Sequence, residues 1–193
     1  MRNDRIRFFI VALIVAFIAF PLHSATAQSD AEPDASSARG SGFTLLLNMG
    51  VGMQNDGAYE ESAIGLSGLN IGIGGFLTDN IALMFRISGT SVKYSFDAEF
   101  FGTEFDIDQT SGVGGPTIQY WVSDKLNIEG GLGYGFWSSE GFSESGFGAI
   151  LGIAYVVFQT GNSNFQVGAE FAPAFLDPET VYNFGLVFGW QLR

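Results

Sequence analysis

Three charges interrupt long stretches of otherwise uncharged, alternating sequence: Arg86, Glu129 and Glu170. Two carboxylates can share acid and base work if their surroundings drive their pKa values apart. One arginine between two glutamates can equally form a buried ion cluster that spares each charge an uncompensated interior. A second set is wholly acidic. Asp97, Glu99, Glu104 and Asp106 flank Phe101-Gly102. A hairpin turning at that pair sets Glu99 against Glu104 and Asp97 against Asp106, with Asp108 alongside. Carboxylate oxygens suit hard divalent cations, but the spacing lacks the glycine-containing twelve-residue loop of a high-affinity calcium site. The pattern supports a weak divalent site, a contact for a basic partner, or a solvated acidic loop.

Other chemistries lose their reagents. The chain has no cysteine, and its one histidine, His23, lies in a segment built for removal. Arg2, Arg5 and Arg7 precede a thirteen-residue apolar run from Phe8 to Phe20, and Ala25-Thr26-Ala27 forms an A-x-A cleavage site. This is an export signal over residues 1–27, too short to span a bilayer as a helix. Without His23, no serine has an imidazole base to activate it. A glutamate would serve only if its pKa were raised, and nothing in the sequence supplies that, so the expectation is a non-enzymatic protein with no cofactor. Gly72-Ile-Gly-Gly75 and Gly112-Val-Gly-Gly115 open no helix and precede no Gly-Lys-Ser/Thr, so they are not phosphate loops. After cleavage five basic residues face nineteen acids, a balance that excludes nucleic acid as a partner.

Residues 28–42 are small and polar, with Pro33 and late glycines, and read as a disordered periplasmic linker. From Phe43 onward eight alternating tracts follow, near 43–54, 64–77, 81–96, 106–122, 126–137, 146–158, 164–175 and 181–192. Bulky apolar residues such as Leu45, Leu47, Ile71, Phe85, Ile118 and Leu132 hold one parity. Asn48, Asn70, Arg86, Gln119, Glu129, Gln166 and Glu170 hold the other, together with many glycines. The parity of the apolar residues changes between Ile107 and Ile118, which predicts a β-bulge at Gly112–Pro116 with a matching one at Gly89–Ser91. Short connections at 78–80, 123–125 and 159–163 alternate with longer, acidic ones at 55–63, 97–105, 138–145 and 176–180. An even number of amphipathic tracts with such loop asymmetry is the pattern of an all-β, eight-stranded antiparallel up-and-down transmembrane barrel over 43–193. A soluble lipocalin-like barrel would turn the same apolar faces inward around a ligand. Twenty phenylalanines and few lysines suit lipid better than a soluble exterior.

The last tract carries a further signal. Asn183, Gly185, Phe188 and Trp190 stand at the spacing polar, any, Gly, two of any, aromatic, any, aromatic, which resembles the C-terminal signal read by the outer-membrane assembly machinery. Here the chain continues through Gln191, Leu192 and Arg193, where that signal usually ends on its aromatic. With eight strands, asymmetric loops and this signal, residues 43–193 resemble the small outer-membrane β-barrel family of the OmpA/OmpX type. The resemblance implies an outer-membrane location in a Gram-negative bacterium after cleavage near Ala27. It also implies contact with outer-membrane lipid and lipopolysaccharide, and a structural or surface-interaction role through acidic outer loops. A narrow channel for small solutes is the alternative on the same scaffold, and Arg86, Glu129 and Glu170 would then lie in its lumen.

Overall fold

The computed structural model describes residues 42–56, 62–98, 103–177 and 179–193. The expected export signal and the linker up to residue 41 lie outside the described residues, and so does Glu99. Eight strands follow one another: β1 (Phe43–Asp56), β2 (Ser62–Thr78), β3 (Ile81–Ala98), β4 (Thr103–Trp121), β5 (Leu126–Ser139), β6 (Phe142–Thr160), β7 (Ser163–Phe175) and β8 (Thr180–Leu192). Each pairs antiparallel with its chain neighbours, and β1 pairs with β8 to close the ring. Opposite residues run from Leu47 through Ile71, Ile87, Gly114, Tyr134, Phe147 and Phe175 to Thr180. That path returns to β1 just above Asp56, a stagger of about ten residues that goes with strands tilted ~40° from the barrel axis.

The two parities separate as a bilayer requires. Met49, Val51, Leu83, Phe85, Ile118, Leu132 and Phe188 are exposed, while Thr44, Asn48, Asn70, Arg86, Gln119, Glu129 and Gln166 are buried. On β1 the outward apolar positions run from Phe43 to Met53, a belt about 25 Å tall at this tilt. Tyr120, Tyr155 and Phe158 stand exposed at its lower edge, and Tyr134, Phe147, Phe175 and Tyr182 at its upper edge. These are the interfacial girdles in which ring faces meet acyl chains and polar tips meet headgroups. The lipocalin-like alternative is thereby set aside, because its apolar faces would have to turn inward.

Three expectations from sequence are corrected. The strands are longer than expected at the outer end: β5 and β6 meet through Glu140-Gly141 alone, and β3 and β4 are linked by residues 99–102. What read as long acidic loops at 97–105 and 138–145 is largely hairpin, because cross-strand pairing continues past the membrane belt. The bulges expected at Gly112–Pro116 and Gly89–Ser91 are absent. The β3–β4 ladder is unbroken from Ile81–Tyr120 to Ala98–Thr103, and Ile107 sits on the inward parity with Gln109 and Ser111. A bulge lies instead on β2, between Ser67 and Asn70, where both of its partner ladders slip, and the register shifts again near Phe76–Thr78 and Val156–Phe158. Finally, that unbroken β3–β4 ladder places Asp97 opposite Glu104 and Asp106 opposite Ser95, so Asp97 and Asp106 do not face each other. The register is fixed inside the barrel and carried upward, not set by the turn.

A ring without edges resists detergent, since every strand's amides are paired within it. The unboiled mature protein is therefore expected to migrate differently from the boiled protein on a denaturing gel. Trp190→Asp, which places a carboxylate on the lipid-facing parity of the closing strand, is expected to lower the folded, heat-modifiable fraction recovered from membranes.

Candidate functional site

Arg86 lies mid-strand on β3, opposite Gly72 of β2 and Gly115 of β4. Gly72 is required there: a Cβ would collide with the aliphatic stem of Arg86. The guanidinium thus crosses the lumen over a floor without side chains and meets β5 and β7 on the far wall. Nη1 donates to Glu129 Oε2, and Nη2 donates to Glu170 Oε1 at 2.6 Å. Arg86 is 1% exposed, Glu129 8% and Glu170 6%, so all three ions are shielded from water.

One positive charge against two negative ones leaves an excess of one carboxylate charge, and neutral donors meet it. Glu170 Oε1 accepts from Asn48 Nδ2 at 2.7 Å, and its Oε2 accepts from Asn70 Nδ2 at 2.9 Å and Ser88 Oγ at 2.7 Å. Glu129 Oε1 accepts from Thr117 Oγ1 at 2.6 Å. All four carboxylate oxygens are engaged, which is what makes buried charge tolerable. Six strands, β1 to β5 and β7, contribute to this one network. Beneath it a small cavity remains, bounded in part by Asn48, Gln119, Asn127 and Gln166.

The lumen is closed above and below this level. On the periplasmic side Gln119 Oε1 accepts from Gln191 Nε2 (2.8 Å) and Trp121 Nε1 (3.1 Å), and Gln191 also donates to Thr44 Oγ1 (3.0 Å). Trp121 is fully buried, with the Arg193 guanidinium stacked 3.6 Å from its ring centroid. On the outer side Gln54, Gln109, Ser111 and Asn183 form a hydrogen-bonded layer. Beside it Val113, Ile150, Ala172, Ala174, Leu176 and Val181 pack as an apolar plug. The site can therefore cross-link strands through the membrane.

The candidate residues are placed as follows. Arg86, Glu129 and Glu170 come together. Among the hairpin acids, Asp97, Glu104 and Asp106 are placed by backbone register only. Among the described residues, no three acidic or other metal-binding side chains converge on a point. In the C-terminal signal, Phe188 faces outward and is half exposed, and Trp190 shares its parity opposite Phe165. Asn183 and Gly185 face the lumen, where Asn183 donates to the Ala172 carbonyl at 3.0 Å. Sequence reasoning missed Trp121 as an interior plug and did not pick out Asn48, Asn70, Ser88 and Thr117 as the donors that complete the cluster. Their signal was available: all are small or amide side chains on the parity of Arg86 or its neighbours.

The closed ring, apolar belt and polar interior define the class: an eight-stranded β-barrel of the outer-membrane type. No protein-family profile and no curated protein matches the sequence. Among solved structures, Ail, the attachment invasion locus protein of Yersinia pestis, crystallised with the heparin analogue sucrose octasulfate, superposes with a TM-score of 0.54 at 15% identity, covering 79% of this chain and 99% of that one. Neisserial surface protein A superposes with a TM-score of 0.51 at 14% identity, over 79% and 98%. At such identities the likeness is one of fold, that of the small outer-membrane barrels.

Arg86→Leu leaves two carboxylates facing each other in a dry interior and is expected to cost about 3–5 kcal/mol. Urea unfolding of the barrel in lipid, compared with the wild type, measures this. The triple variant Arg86→Leu, Glu129→Gln, Glu170→Gln removes the charges together and is expected to recover much of the loss.

Proposed function

We propose that this protein is a non-enzymatic outer-membrane barrel whose role is structural or lies in surface interaction through its acidic outer end. The observation that carries the reading is the filled lumen. Arg86, Glu129 and Glu170 tie the middle, Trp121 and Arg193 cover the bottom, and the Gln54 layer with its apolar neighbours fills the top. Eight strands enclose an interior that side chains just fill, so the surface left for function is the outer rim. The narrow-channel alternative needs this network to open, and no observation favours it.

At the outer rim the charge is acidic. Lys93 is the exposed cation described on the outer hairpins, and it pairs loosely with Asp108 at 3.5 Å. Ail was crystallised with a sulfated ligand, but an acidic rim repels such polyanions, so that specificity is not carried over. Acids at Asp97, Glu99, Glu104 and Asp106 suit weakly held divalent cations, which could bridge the hairpin to lipopolysaccharide phosphates. Recognition by the assembly machinery through Asn183, Gly185, Phe188 and Trp190 belongs to the same proposal.

Two measurements test it. In planar bilayers the purified barrel is expected to give no discrete conductance steps, and regular steps abolished by a lumen-filling variant would establish the channel instead. Calcium titration is expected to move the β3–β4 hairpin amides in NMR spectra with an affinity of about 10⁻⁴–10⁻³ M. Those shifts should vanish when the four acids are changed to Asn or Gln at constant ionic strength.

A further inference from the structure

The β5–β6 hairpin ends in two unfavourable features placed side by side. Its connection is Glu140-Gly141, with φ of 37° and 93°. Two positive φ values are the signature of a type I′ turn, which matches the twist of paired strands and normally calls for Asn, Asp or Gly at both central places. Glu140 is the one non-glycine residue at positive φ among the described residues. The next residue, Phe142, is 74% exposed, level with the most exposed large apolar side chains of the barrel.

Phe142 is not part of the lipid belt: it pairs with the buried Ser139 on the inward parity, beyond the barrel mouth. The outward parity of this hairpin turns polar above Phe136 and Phe147, at Ser138, Ser143 and Ser145. Phe142 lies five residues beyond Phe147 on a continuous strand, about 12 Å higher along the axis at ordinary strand rise and tilt. It stands in water on a stiff stem: fourteen consecutive cross-strand pairs run from Leu126–Tyr155 to Ser139–Phe142. The ring brings no packing to the barrel, so folding does not account for it. Its surroundings are acidic. Glu140 and Glu144 are exposed beside it, and from Leu126 onward the chain holds no basic residue before Arg193 at the opposite end.

We infer that the β5–β6 tip is a docking element for another protein, with Phe142 as an aromatic anchor for an apolar pocket whose rim is basic. Aromatic side chains on rigid supports dominate binding energy because they bury large area at low entropic cost. Glu140 and Glu144 steer and select by charge complementarity. A second copy of this chain does not fit, because its rim carries the same sign. A phospholipid surface fits poorly, since two carboxylates would enter the headgroup layer with the ring. This inference deepens the surface-interaction reading and rests on it.

The test uses the whole barrel in nanodiscs. A random peptide display library is selected on the wild type and counter-selected on Phe142→Ser, whose exposed site leaves heat-modifiable folding unchanged. Enriched peptides are expected to combine Lys or Arg with aliphatic or aromatic residues. A synthesised one is expected to bind Phe142→Ser at least ~10-fold more weakly. With Glu140→Gln, Glu144→Gln it is expected to lose several-fold in affinity and most of its salt dependence. Equal binding to wild type and Phe142→Ser, enrichment of acidic peptides, or Phe142-dependent capture of protein-free phosphatidylcholine vesicles would each overturn the inference. The broader reading is read separately, by adhesion of whole cells to a protein-coated surface. Adhesion lost on neutralising Asp97, Glu99, Glu104 and Asp106 but kept in Phe142→Ser defeats this inference and leaves the broader reading standing.

Discussion

A strand in hydrocarbon has no water to satisfy its amides, and from that constraint the rest of this molecule follows. Each of the eight strands must find partners on both sides, so β8 must return to β1, and the stagger of about ten residues sets how the strands tilt to do it. Closure at eight strands leaves a lumen of side-chain dimensions. The inward parity must then either pack or pair, and the outward parity must be apolar over the belt height. The glycines follow as well. Gly72 clears the path of Arg86, and Gly148 of β6 leaves room for Val113 of β4.

Inside such a ring, charge is costly unless complete. Arg86 joins strands β5 and β7 across the lumen, and Asn48, Asn70, Ser88 and Thr117 absorb the surplus negative charge. The cluster is thus a cross-brace at mid-height, while packing and amide layers close the two ends. Strands β3–β4 and β5–β6 continue beyond the belt as hairpins. Paired backbone in water is stiffer than a loop, so the β5–β6 extension holds its side chains on a continuous ladder. The β5–β6 extension carries the exposed acids Glu140 and Glu144.

Strand number, parity and the lipid-facing sets could be read from residues alone, because a period of two written in Leu, Ile and Phe against Asn, Gln and Gly is local information. The assignment of Arg86, Glu129 and Glu170 to one parity was equally local. Which inward side chains meet them was not, since Asn48 and Glu170 are 122 residues apart and their contact depends on the stagger of the closed ring. Trp121 shows the limit from the other side. Alternation with its outward neighbour Tyr120 already places Trp121 on the inward parity of Thr117 and Gln119, but only the closed barrel brings Arg193 over its ring. Ile107 misled for a related reason: above the belt an apolar residue no longer reports which side faces lipid, so a bulge was read where the ladder is straight.

The sequence by itself determined the class of solvent this protein occupies, because the alternation of bulk and polarity must match the medium on each side of a strand. Register, bulge position and the pairing of the outer acids were decided by tertiary structure. A ladder's register is set by the sum of its cross-strand contacts around a closed ring, and a turn of four residues cannot override it. That is why Asp97 stands opposite Glu104, two places from where the local turn would put it.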